Sequence, residues 1–160
     1  MSPSTNKKVV IRRFDREPMA GFVNPQTYLQ PAGMEVLSLS GSLAMVPYDE
    51  AKAVCFVRDF DLTPPPAEMR VFHTRPKLNG IWVRMRFRDG ELMDGLLANN
   101  LLHLEPYGFT VVPPNPSSNN QRIFVPRAAL ADLQVLGVVG SPLRPHKPKP
   151  KPKEQIGLFD

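Results

Sequence analysis

The chain has 160 residues, a formal charge of +5 and no apolar run near the roughly 18 residues of a membrane-crossing helix. Its 19 prolines, against a usual share of about 5%, exclude long helices and favour short strands, turns and linkers. The single cysteine, Cys55, excludes an internal disulfide, and with a polar N-terminus it points to a cytoplasmic protein.

Residues 8–14 predict a first strand, and the tight turn Asp15-Arg16-Glu17 leads into a second over 18–23. Residues 33–39 and 43–46 predict a third and a fourth strand around the turn Gly41-Ser42. Pro47 opens a single helical turn, and residues 53–60 close the unit as a fifth strand. Residues 61–80 read as a linker around Pro64-Pro65-Pro66, with Val71-Phe72-His73 expected to lie across the first unit as an added strand.

The clearest stretch is 82–95. Val83, Met85 and Phe87 fall on one strand face, Trp82, Arg84, Arg86 and Arg88 on the other. Asp89-Gly90 predicts a type I′ hairpin turn. Residues 101–104 read as a strand continuation or a short helical turn, 108–112 and 122–126 as strands, 127–130 as a helical turn and 133–139 as the last strand.

This order repeats the first unit. Arg13-Phe14…Met19-Ala20-Gly21 matches Arg86-Phe87…Met93-Asp94-Gly95 with one turn residue deleted, and residues 46–54 recur at 125–133 around Pro47 and Pro126. The expectation is an all-β chain of two tandem five-stranded units, residues 8–60 and 81–140, joined by the 61–80 linker. Each unit is marginal in size for its own core, so the two should pack together. Residues 141–160 form a disordered Pro/Lys-rich tail. The units resemble small β-barrels of the Sm/SH3-like kind. They also resemble an uncharacterised bacterial family of tandem small β-barrel domains, which implies a fold and no activity.

The charge is uneven. Five basic residues against Glu154 and Asp160 give the tail +3 and leave residues 1–140 with +2. Trp82, Arg84, Arg86 and Arg88 have the make-up of a basic, aromatic nucleic-acid platform, or of a solvated face whose arginine stems cover the tryptophan. The near-neutral body favours the second reading. Arg12 and Arg16 have the spacing of the phosphate-clamping arginines in PilZ domains, without the companion motif. Cys55 with His73 or His103 has the elements of a nucleophile and base, but an apolar strand usually holds cysteine as a buried hydrophobe. The polar run 115–122 suits a binding loop or a hairpin connection. No metal-ligand spacing or phosphate loop is present, and no cofactor, metal or enzymatic activity is expected.

The last six residues, Gln155-Ile156-Gly157-Leu158-Phe159-Asp160, place apolar side chains at a charged terminus. The Lys-Pro spacer before them extends at about 3.1 Å per residue, a reach of some 40 Å. The layout of a stiff arm and an anchor is that of a linear recognition motif. The end resembles the bacterial sliding-clamp-binding pentapeptide, with Gln155, Leu158 and Phe159 matching, Ile156 a near match and Gly157 departing. By that resemblance Gln155 bonds at a rim, while Leu158 and Phe159 fill an apolar pocket. A non-enzymatic adaptor docking a protein partner is expected, with a nucleic-acid or nucleotide-binding module as the alternative.

Overall fold

The computed structural model describes residues 6–115 and 119–140. Eleven strands are joined by turns and single-turn 3-10 helices: β1 (Lys7–Arg13), β2 (Met19–Val23), β3 (Leu29–Gln30), β4 (Gly33–Ser38), β5 (Leu43–Val46), β6 (Ala51–Val57), β7 (Gly80–Phe87), β8 (Leu92–Leu97), β9 (Gly108–Val111), β10 (Asn120–Pro126) and β11 (Leu130–Val139). The all-β expectation holds. Leu101–His103 forms a 3-10 turn rather than a strand, with Asn100 Oδ1 accepting from the Leu102 amide at 3.0 Å.

The strands build one sheet of eight, in the order β3-β4-β2-β1-β6-β10-β9 with β5 beside β4, and one of three, β11-β7-β8. Two separate closed barrels do not form. β6 accepts β1 on one edge and β10 of the second half on the other, so one sheet runs through both halves. A bridge between Leu96 and Val112 links β8 to the strand region after β9.

Pairing nevertheless follows one pattern twice. β1 pairs with β2 and β6, as β7 pairs with β8 and β11. Ile11 faces Met19 and Val54, as Met85 faces Met93 and Leu133. Both first strands carry a register shift at the same place, between Arg12 and Arg13 and opposite Leu130/Asp132. Val9 therefore corresponds to Val83 and Arg13 to Phe87, one residue away from the Arg-Phe letter match, and no turn residue is deleted. Inward alternation sets this register, because a one-residue slip would turn every core side chain outward.

The Asp89-Gly90 hairpin also differs from a type I′ turn. Gly90 has φ of 94° and donates to the Phe87 carbonyl at 2.9 Å, while among the described residues no non-glycine has positive φ. This is a type I turn followed by a left-handed glycine, the three-residue hairpin connection.

Two cores result. Val9, Ile11, Met34, Val36, Val54 and Phe56 fill the first, and Val83, Met85, Phe87, Val111, Ile123 and Val125 the second. β6 is their common wall: Val54 and Phe56 point into the first, Ala53, Cys55 and Val57 into the second. Burial on both faces explains why β6 is continuously apolar from Ala53 to Val57 rather than alternating. Phe124 crosses the joint in the other direction, from β10 into the first core.

Candidate functional site

The arginine strand is built around a carboxylate. Asp94 lies on β8 opposite Arg84 and is fully buried. Arg84 donates from Nε to Oδ1 at 2.7 Å and from Nη2 to Oδ2 at 2.9 Å, the bidentate geometry only a guanidinium supplies. Trp82 Nε1 donates to Oδ2 at 3.2 Å and the Phe72 amide to the same oxygen at 2.9 Å. The Asp94 amide donates to the Arg70 carbonyl at 2.8 Å, and the Phe72 ring meets Trp82 edge-on at 6.0 Å. The 71–73 segment is thus fastened to the β7–β8 hairpin of the second half. It is neither a strand nor laid on the first half, because the buried acid supplies its backbone partner.

Arg88 is also engaged. It donates to the carbonyls of Ala128 at 3.0 Å and Asp49 at 2.6 Å and lies 4.0 Å over the Phe14 ring, bridging the two halves. Lys52 of the first half meets Asp89 at 2.7 Å and also pairs with Glu91. Of the four residues on this face, Trp82 and Arg84 share Asp94, Arg88 serves the joint, and the exposed Arg86 side chain makes no hydrogen bond or ion pair among the described residues. Asp94 was the residue to notice in the sequence: a lone acid inside the apolar run of β8, where an unpaired charge would be untenable.

Between the halves, under the proline linker, is a cleft of about 630 Å³, within the size range of ligand pockets. Cys55, Phe87, Met93 and Ile123 form its apolar wall, and Arg12, Arg13, Lys52 and Arg70 its basic rim. Arg12 ties the linker across it through the carbonyls of Leu62 and, at 3.1 Å, Thr63. Arg70 donates to the Pro65 carbonyl at 2.7 Å and Glu91 at 3.0 Å.

The remaining candidates separate. Arg16 faces Glu50 at 3.9 Å while Arg12 serves the linker, so the two do not converge on one phosphate. Cys55 is buried and burial pushes its thiol up to about 11, with Arg12 as its polar neighbour. His73 bonds the Glu68 carbonyl at 2.6 Å and neither histidine bonds the thiol. In the 115–122 run, Asn119 ties the loop to the end of β6, accepting from the amides of Arg58 and Asp59 at 3.0 and 2.8 Å. Gln155, Ile156, Leu158 and Phe159 lie outside the described residues. Among the described residues no three His, Cys, Asp or Glu side chains are grouped to hold a metal, and no helix is long and apolar enough to cross a membrane.

A family of unknown function, DUF6982, matches residues 5–137. The chain belongs to the DUF6982 family. The match spans both halves, the linker, the Asp94 node and the cleft, and stops within β11. No curated protein and no solved structure matches this DUF6982 chain.

Proposed function

We propose that this protein is a non-enzymatic adaptor of the cytoplasm that docks a protein partner, the bacterial sliding clamp, through its C-terminal peptide. The carrying observation is the end of the chain itself, where Gln155, Leu158 and Phe159 follow a Lys-Pro spacer. The body is two copies of one Sm/SH3-like unit fused by a shared sheet, a reading supported by the matched pairings and register shifts of β1 and β7. Its role is to present the peptide and to hold the units together. The alternative, a nucleic-acid or nucleotide-binding module on Trp82, Arg84, Arg86 and Arg88, has less to work with. Three of those side chains are spent on Asp94 or the joint between the halves.

The test is a synthetic 153–160 peptide titrated against purified clamp, beside a peptide carrying Leu158→Ala and Phe159→Ala. Loss of the two anchors should abolish binding. Equal behaviour of the two peptides rejects the clamp. Full-length protein that binds RNA or DNA with a steep salt dependence, lost in Arg86→Ala, would favour the alternative.

A further inference from the structure

The halves are joined edge to edge by β6 and β10, with Val54 opposite Phe124, Cys55 opposite Ile123 and Phe56 opposite Arg122. β6 is the last strand of its half and β10 the last but one of the other. The strands in the same positions, β11 and β5, each have one edge unpaired among the described residues.

The shared registers set equivalent residues side by side. Val9 faces Phe56 as Val83 faces Val135, and the repeat around Pro47 and Pro126 places Leu43 and Met45 level with Arg122 and Phe124. Where the edge is paired, Phe56 is 5% exposed and Phe124 0%. Where it is open, Val135 is 62%, Met45 47% and Leu43 68% exposed. Natural edges are blunted with lysine, proline or inward charge. β5 carries none of these over Leu43–Val46, and the 133–136 stretch of β11 is uncharged.

We propose that copies of this chain associate head to tail, β11 of one molecule adding to β5 of the next in the register of the β6–β10 joint. Val135 then lies opposite Leu43, Gln134 opposite Ala44 and Leu133 opposite Met45. Met45 enters the open side of the neighbour's second core as Phe124 enters the first. An apolar Leu43–Val135 pair stands where Arg122 sits 5.0 Å over the Phe56 ring. Arg75, which donates to the Val138 carbonyl at 2.8 Å, lies beyond this register. The two edges differ, so the contact is heterologous and repeats until a ring closes or a filament grows.

The test is sedimentation velocity on the full chain, on Met45→Lys, on Val135→Lys and on their equimolar mixture. Wild type should sediment as a multimer and each variant as a monomer. The mixture should give a one-to-one dimer, because one variant keeps its β11 edge and the other its β5 edge. A monomeric wild type, a variant of unchanged mass, or a mixture that stays monomeric overturns the proposal. Amide exchange in wild type gives a readout free of substitutions. Protection at residues 43–46 and 133–136 should rise with protein concentration, and concentration-independent exchange there is a negative result.

Discussion

Arg84 grips Asp94 with both nitrogens of one guanidinium edge, at 2.7 and 2.9 Å, and the carboxylate is fully buried. The pair is the pin between the β7–β8 hairpin and the linker, since the same carboxylate takes the Phe72 amide.

Removing the acid while leaving its partners should therefore be severe. Asp94→Ala leaves the Arg84 guanidinium, the Trp82 indole and the Phe72 amide without their common acceptor, and because the Arg84 side chain is 35% exposed a loss of about 1–3 kcal/mol is expected. Arg86→Ala, two residues along the same face, should stay within about 0.5 kcal/mol. Urea unfolding of the two variants decides it, and Phe72–Trp82 detachment should appear as a change in tryptophan emission in Asp94→Ala.

Phe87 and Arg86 give a second contrast. Phe87 is a member of the second core and Arg86 is exposed. Phe87→Ala should cost about 3–5 kcal/mol. Equal unfolding midpoints for Phe87→Ala and Arg86→Ala would put the wrong face of β7 inward.

Gly95 of β8 lies against Val111 of β9. A Cβ there would stand 2.6 Å from Val111 Cβ, and one at the corresponding Gly21 would stand 2.6 Å from the Leu37 carbonyl oxygen. Gly95→Ala should destabilise by about 1–3 kcal/mol through overpacking. Adding Val111→Ala removes the Cγ2 contact at 2.6 Å and the Cγ1 contact at 3.2 Å but keeps the Cβ one, so the double variant should lose less than the sum of the two single losses, because the two sites contact each other. Thermal melts of the two singles and the double measure the coupling.

Cys55 should be chemically silent in the native state. With its thiol raised to about 11 by burial, native protein at pH 8 should resist iodoacetamide and label only on unfolding. The linkage has a definite sign. The folded thiol holds its proton above the ordinary cysteine value of about 8.5, so its contribution to stability is complete below that pH and is lost as pH rises toward 11. Wild type should therefore lose more stability than Cys55→Ala between pH 8 and pH 10.5, as measured by paired denaturant curves.

Local chemistry was legible from residue order alone. Strand positions followed from period-two alternation, as in Val83, Met85 and Phe87. The helical turn after Pro126 and the repeat around Pro47 and Pro126 were equally visible, and so was the inward face of β7. These features depend on neighbours within a few residues, where pleat geometry and proline's fixed φ leave little choice. What the tertiary structure alone decided involves partners far apart in the chain. The true register of the repeat came from inward packing, against a misleading Arg-Phe match. Arg84 pairs with Asp94 and Arg88 donates to the backbone carbonyls of Asp49 and Ala128, and the 71–73 stretch of the linker went to the second half because a buried carboxylate waited there. In place of two separate barrels an eight-stranded sheet runs through both halves, because β6 sends apolar side chains to both faces. A strand buried on both sides needs a second wall, and in this chain the second half supplies it, with β10 paired along the β6 edge.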